Sequence, residues 1–253
     1  MIICIDVGNT STVFGLYHND KLMYAYRIET KSLNDINNSK EMLEKALNNF
    51  GFNEINGSCI SSVVPSVNDY LKEMLVKNYN VFPLFVDTSL PLGLGIKIEP
   101  KESLGADLLV GSYIATTKYG YPNIVIDMGT ATTAIVVNEK KEIIGGLIYP
   151  GVNEAFKSLV KSTALLENAE IKVPSRVIEN STIGCLQSGM VYGTASLIEG
   201  VVNRFKKELK RDDVKVVITG GIAKLFKPIF EDYINDEYLL LEGLNEIYKK
   251  INK

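Results

Sequence analysis

Residues 6–17 read DVGNTSTVFGLY and follow the apolar run MIICI, and residues 125–137 repeat the pattern as VIDMGTATTAIVV. In both copies an apolar, β-rich run leads into an aspartate, a glycine and several hydroxyls, and a second apolar run follows. A shift of 121 positions superimposes the copies and pairs Asp6 with Asp127, Gly8 with Gly129 and Thr12 with Thr133. Self-similarity at so long a period indicates two copies of one structural unit.

The segments that follow each copy predict an α/β fold. A polar turn and a third apolar run come after each hairpin, which predicts a three-stranded meander. Apolar spacing near 3.6 then predicts helices over residues 39–52, 67–79, 152–166, 183–209 and 223–234. Further strands are expected in NGSCISSVVPSV, NVFPLFVDT and DVKVVITGG. We therefore expect two α/β halves with a central cleft, divided into residues 1–115 and 116–253.

The composition argues against several classes of binding partner. The formal net charge is −3 and the pI is about 5.4, so the chain lacks the basic surface that binds nucleic acids or acidic membranes. No apolar run approaches the roughly 20 residues of a membrane span, and the first residues lack the features of a signal peptide. We expect a cytoplasmic protein with a small-molecule substrate and with neither nucleic acid nor membrane as a partner.

The repeated hairpins indicate phosphate chemistry. A turn rich in glycine and hydroxyls lets backbone N–H groups approach an anion closely. Phosphate would repel Asp6 and Asp127 themselves, so each is suited to hold a cation or to accept a proton. Two such hairpins would bind a nucleotide and its metal for phosphoryl transfer, in which positioning and charge neutralisation supply most of the catalysis. The sequence contains neither a P-loop motif nor a GxGxxG motif.

The motifs, taken in order, carry a family resemblance. DVGNT, SSVVP, GAD, DMGTATT, GGLIYPG, TAL, QSG and TGG resemble the type III pantothenate kinases. This family belongs to the superfamily of sugar kinases, heat-shock ATPases and actin, whose fold is a duplicated pair of ribonuclease-H-like halves. The resemblance implies ATP-dependent phosphorylation of pantothenate to 4'-phosphopantothenate, the first step of coenzyme A biosynthesis.

The resemblance also implies residue roles. Asp107 would be the catalytic base, and the substrate would contact Gly105, Ala106, Asp107, Leu108 and Thr182. The ATP-binding residues would be Asp6, Val7, Gly8, Asn9, Thr10, Ser11, Thr12, Val13 and Thr130. Asp6 would also hold Mg2+ indirectly, and Asp127 would ligate a monovalent cation, K+ or NH4+. A homodimer is implied, in which the long helix after Thr182 supplies much of the contact near the pantothenate pocket.

Simpler structural roles stay open for three of these residues. Asp107 would also serve as a carboxylate at a helix N-terminus, and Thr182 as the N-cap of the long helix. Asp127 would also fit an ordinary turn.

The chain departs from the family pattern beside the expected substrate residues. Leu108 stands where the family motif GADR has an arginine, and Ile98 stands where a tyrosine is expected. Ile135 replaces a carboxylate, and residues 163–168 read TALLEN where the family has TAxLP. Arginine can bind a carboxylate through two charge-assisted hydrogen bonds, which leucine cannot form. Two alternatives therefore stay open: a kinase of another small hydroxylated substrate, or a non-catalytic or half-catalytic subunit of a heterodimer with a paralog.

Overall fold

The computed structural model describes residues 1–34, 36–49, 51, 54–162 and 169–252. Eleven strands and seven α-helices lie within these ranges. The strands are β1 (Ile2–Val7), β2 (Ser11–His18), β3 (Lys21–Glu29), β4 (Gly57–Ser62), β5 (Leu84–Phe85), β6 (Gly95–Ile96), β7 (Asn123–Met128), β8 (Ala131–Val137), β9 (Glu142–Pro150), β10 (Lys215–Thr219) and β11 (Ile234–Asn235). The helices are α1 (Ile36–Asn49), α2 (Asn68–Tyr79), α3 (Ala106–Tyr119), α4 (Val152–Lys161), α5 (Thr182–Leu209), α6 (Ala223–Phe226) and α7 (Leu239–Ile251).

The chain forms two compact units. The first comprises Met1–Leu94, Ile98–Ile114 and Leu239–Lys253, and the second comprises Gly95–Lys97 and Ala115–Tyr238. The first unit therefore includes α7, which the sequence-based division into residues 1–115 and 116–253 assigns to the second half. Helix α3 begins in the first unit and ends in the second. No helix within the described ranges is long and apolar enough to cross a membrane.

The first unit is built on a five-stranded sheet in the order β3-β2-β1-β4-β5. β1 runs antiparallel to β2 and parallel to β4. Alternation along β1 sends Ile3, Ile5 and Val7 into a buried apolar core on one face. Cys4 and Asp6 consequently lie on the other face, on which α7 packs against β1 and β4.

The second unit repeats this topology. Its sheet runs β11-β10-β7-β8-β9-β6, so the central run β9-β8-β7-β10-β11 matches the order of the first sheet, and β6 is an added edge strand. β7 is antiparallel to β8 and parallel to β10, as β1 is to β2 and β4. The two α/β halves predicted from the repeated hairpin, and the duplicated ribonuclease-H-like fold that the resemblance implies, are confirmed.

The two hairpins differ in turn length, which corrects the residue pairing expected from the sequence. Val7 pairs with Thr12 across the first turn, whereas Met128 pairs with Thr132 across the second. The second turn is therefore one residue shorter, and Thr12 corresponds to Thr132 rather than to Thr133. Thr12 and Thr132 are both fully buried, which agrees with their equivalence.

Two of the predicted helices are shorter where the structure describes them. The helix expected over residues 223–234 is wrong beyond its first turn, because α6 ends at Phe226 and turns lead to the strand β11. Pro228 has no backbone N–H and therefore cannot donate the helical hydrogen bond to the Lys224 carbonyl, which explains the early end. In the helix expected over residues 152–166, α4 accounts for Val152–Lys161. The TALLEN segment at residues 163–168 lies outside the described residues.

Candidate active-site residues

The first hairpin presents its polar residues at the end of β1. The Gly8 N–H donates to the Ser11 carbonyl over 3.0 Å and closes the turn. Asn9 and Thr10 are exposed at its tip, while Asp6 and Gly8 are half-buried. An added Cβ at Gly8 would lie 3.1 Å from the Ser11 carbonyl oxygen, so this position favours glycine. The turn thus presents backbone and short polar side chains where an anion could approach them closely.

Thr30, which the sequence analysis did not identify, stabilises this turn. Its hydroxyl donates to the Gly8 carbonyl over 2.6 Å and lies 3.0 Å from the Thr12 hydroxyl. Its backbone N–H donates to the Thr10 carbonyl over 3.0 Å. Thr30 is buried directly after β3. The side chain of the residue that follows the third strand therefore contacts both sides of the turn, which only the folded register could show.

The second hairpin closes in the same way but uses a following glycine. The Gly129 N–H donates to the Ala131 carbonyl over 3.1 Å, and the Gly151 N–H donates to the Thr130 carbonyl over 3.0 Å. An added Cβ at Gly151 would overlap the carbonyl oxygens of Gly129 and Thr130. The glycine at the end of GGLIYPG therefore lets the chain after β9 lie against this turn, with Thr130 exposed.

Asp127, the expected cation ligand, lies beside the TGG turn. Thr219 pairs with Asp127 across the parallel strands β10 and β7, and Gly220 follows at a φ of 101°. An added Cβ at Gly220 would overlap Asp127 Oδ1 and would lie 2.5 Å from the Met128 nitrogen. Gly220 thus lets the turn approach the carboxylate. Asp127 lies within β7 and not in a turn, and two glycine-containing turns lie beside its carboxylate.

Asp107, the expected base, is in the first turn of α3. The Leu108 N–H donates to Asp107 Oδ1 over 2.8 Å, and Gly105 lies so close that an added Cβ would overlap this oxygen. Burial raises the pKa of Asp107, and hydrogen bonds from the Leu108 and Asp107 backbone lower it only in part. A carboxylate whose pKa is raised holds a proton more strongly, which suits a general base. The position also fits the simpler role at a helix N-terminus.

The remaining predicted substrate residues lie at two helix starts. Gly105 precedes α3, and Ala106 and Leu108 occupy its first turn with half-buried side chains. Thr182 is the exposed first residue of α5. The alternative that Thr182 is the N-cap is wrong, because Ser181 holds that position and its hydroxyl accepts the Gly184 N–H over 3.1 Å.

The donor set limits how a metal ion would bind. Within the described residues, no three His, Cys, Asp or Glu side chains come together to form a metal site. Mg2+ with nucleotides usually binds one or two carboxylates together with phosphate oxygens and water. Asp6 beside an anion-binding turn fits that arrangement, and Asp127 offers the hard oxygen that a monovalent cation needs.

The fold class is that of actin and the sugar kinases. MreB 5 of Spiroplasma citri, solved with bound AMPPNP, aligns with a TM-score of 0.53 at 11% identity over 99% of this chain and 96% of its own. A protein of Sinorhizobium meliloti assigned as a 2-dehydro-3-deoxygalactonokinase aligns with a TM-score of 0.63 at 12% identity, over 99% and 97% of the two chains. Identities this low establish the fold alone.

Sequence relatives then define the family. The family model for type III pantothenate kinase matches residues 2–204. The type III pantothenate kinase of Halalkalibacterium halodurans is 38% identical over 99% of both chains. The enzyme of the same name from Exiguobacterium sp. is 38% identical over the whole length of both. The chain belongs to the type III pantothenate kinase family, whose members are phosphotransferases that act on an alcohol group.

Proposed function

We propose that the protein transfers the γ-phosphoryl group of ATP to the primary hydroxyl of pantothenate, forming 4'-phosphopantothenate for coenzyme A biosynthesis. The observation that carries the proposal is the duplicated hairpin within a full-length family match. Residues 6–13 would bind the phosphates at the first turn, and Thr130 is the proposed nucleotide contact at the second. Bound Mg2+ would neutralise phosphate charge, and Asp6 would hold it indirectly.

Asp107 is the proposed catalytic base. Its carboxylate would take the proton from the substrate hydroxyl, because its raised pKa gives it greater proton affinity than an exposed aspartate has. Gly105 supports this role, since the absence of a side chain there leaves room for the Asp107 carboxylate. Asp127 would ligate K+ or NH4+, and Thr182 would contact the substrate. A cytoplasmic homodimer built through α5 completes the proposal.

A second candidate follows from Leu108. This half-buried leucine occupies the first turn of α3, next to Asp107, where the family motif has an arginine. Pantothenate carries a carboxylate, and leucine offers it no charge. A hydroxylated substrate without that carboxylate, or a heterodimer in which a paralog supplies the cation, would fit the same position. Ile98, also half-buried, is the second altered residue.

One assay separates these candidates. The purified protein alone is incubated with ATP, Mg2+ and K+, and ADP release is coupled to NADH oxidation with and without pantothenate. Pantothenate-dependent ADP release, with 4'-phosphopantothenate identified by mass spectrometry, is the expected result. The Asp107→Asn variant is the control for contaminating kinases. Nucleotide binding without pantothenate-dependent turnover would instead favour another substrate or a required partner subunit.

A further inference from the structure

We propose that Arg27, on β3, is an additional phosphate-binding residue of the first hairpin. The inference rests on the proposed use of that hairpin to bind ATP. The turn residues 8–10 and their flanking strands were expected from the sequence to form the phosphate site, whereas β3 was expected only to complete the meander. The structure brings one cation of β3 to the hairpin.

The strand register places Arg27 in line with Asp6. Asp6 pairs with Val13 across β1 and β2, and Val13 pairs with Arg27 across β2 and β3. Directly paired residues extend their side chains from the same face of a sheet. Asp6, Val13 and Arg27 therefore form one row across three strands, at the end of the sheet where the first turn lies.

The guanidinium reaches the hairpin from this position. Arg27 Nη1 donates to Ser11 Oγ over 2.7 Å, and Ser11 is the first residue after the turn. The Arg27 side chain is otherwise exposed. Thr30 already holds the turn, because it donates hydrogen bonds to the carbonyls of Gly8 and Thr10 and contacts the buried Thr12 hydroxyl. The charge of Arg27 is thus positioned beside the turn without being needed to close it.

The partner of Arg27 is neutral. Across the described ranges, no carboxylate lies within ion-pair distance of its guanidinium, and the nearby Glu29 is paired with Lys31 at 2.7 Å. A guanidinium carries five N–H donors in a planar fork that matches two phosphate oxygens. Its contact with the Ser11 hydroxyl leaves most of these donors available to an anion. A triphosphate at the turn would give the guanidinium a negatively charged partner within reach.

The test measures the affinity for Mg-ATP by isothermal titration calorimetry and compares the wild-type protein with three variants. Arg27→Gln removes the charge and keeps a hydrogen-bonding side chain, and Arg27→Lys keeps the charge. Lys21→Gln is the matched control, because Lys21 is exposed at the opposite end of β3. A charge-assisted hydrogen bond, reduced by solvent screening, predicts about tenfold weaker binding for Arg27→Gln. Arg27→Lys should recover part of this loss, and Lys21→Gln should match the wild type.

Two further readouts distinguish a phosphate contact from a structural role. The loss in Arg27→Gln should shrink as NaCl is raised, because screening weakens the lost interaction. Its melting temperature without nucleotide should equal that of the wild type. Equal Mg-ATP affinity in Arg27→Gln and wild type would overturn the inference, as would a loss that does not depend on salt. Absence of Mg-ATP binding by the wild type would overturn the proposed function itself.

Discussion

Gly220→Ala should destabilise the second unit more than alanine at either Gly120 or Gly151, for two separable reasons. The φ of 101° is unfavourable for a residue with a Cβ, and the added Cβ would overlap Asp127 Oδ1 and lie 2.5 Å from the Met128 nitrogen. The first effect costs roughly 1–2 kcal/mol. Overpacking against fixed backbone costs about 1–3 kcal/mol more. The expected loss in free energy of unfolding is therefore about 2–5 kcal/mol.

Gly120 and Gly151, both in the second unit, separate the backbone contribution from the steric contribution to the loss in free energy of unfolding. Gly120 has a φ of 87° with open space around it, so Gly120→Ala measures the backbone term alone. Gly151 has an ordinary φ of −65°, but an added Cβ would lie 2.7 Å from the Thr130 carbonyl carbon, so Gly151→Ala measures the steric term. We expect losses of about 1–2 kcal/mol for the first and about 1–3 kcal/mol for the second.

Urea unfolding followed by circular dichroism measures all three variants against the wild type. At this chain length, 1 kcal/mol corresponds to a shift of about 2–4 °C in melting temperature, so thermal scans give an independent reading. The reasoning would be refuted if Gly220→Ala were no less stable than Gly120→Ala. In that case the turn at Gly220 would relax away from Asp127, and the close approach would carry no energetic consequence.

Substitutions at three other positions test the active-site assignments. Asp107→Asn should lower turnover by about 10²–10⁴-fold with Mg-ATP binding retained, measured by coupled assay and calorimetry. Because burial raises the pKa of Asp107, its ionised form costs stability above the unfolded pKa, so Asp107→Asn should raise the melting temperature at pH 7 and not near pH 4. Leu108→Arg should lower the KM for pantothenate about ten- to a hundredfold by adding a charge-assisted pair. Thr30→Val should weaken Mg-ATP binding and cost about 1–3 kcal/mol of stability, because the Gly8 carbonyl loses its donor, whereas Thr30→Ser should retain both.

Each of these expectations has a contradicting result. Unchanged turnover in Asp107→Asn would remove this carboxylate from proton transfer, and equal melting temperatures at pH 7 would show that its burial costs little. A low wild-type KM for pantothenate that Leu108→Arg leaves unchanged would show that the acid is bound without the missing arginine. Normal Mg-ATP affinity in Thr30→Val would mean that the turn keeps its shape without the Thr30 hydroxyl.

The sequence predicted those parts of the fold in which side-chain period and burial agree. Both hairpins were predicted, as was α5, expected from Ile183 and observed from Thr182, because period-2 and period-3.6 patterns there are long and uninterrupted. The glycine contacts of the site were not predicted, since they depend on strands that meet only in the folded sheet. Gly151 against Thr130 and Gly220 against Asp127 are both of this kind.

Turn length and tertiary contacts account for the remaining differences. The second hairpin turn is one residue shorter than the first, which leaves the motif recognisable but shifts the alignment of the two copies after the turn. The sequence comparison therefore matched Thr12 to Thr133 instead of Thr132. Thr30 and Arg27 gave no signal, because single polar residues in a strand are ordinary until their partners are known. The substrate residues were assigned by resemblance. Residues 105–108 lie together at the start of α3 because they are adjacent in sequence, whereas Thr182 lies at the start of α5.

The placement of α7 has a consequence for how the chain reaches its native state. Strand β1 and helix α7 belong to the same compact unit and pack against each other, although almost the whole chain separates them. During synthesis, β1 emerges early, yet the helix that covers one of its faces emerges only after the second unit has been translated. The first unit therefore cannot complete its packing until the second unit has been synthesised. The second unit, nearly contiguous in sequence, can acquire its own core sooner, because contacts between distant segments form late.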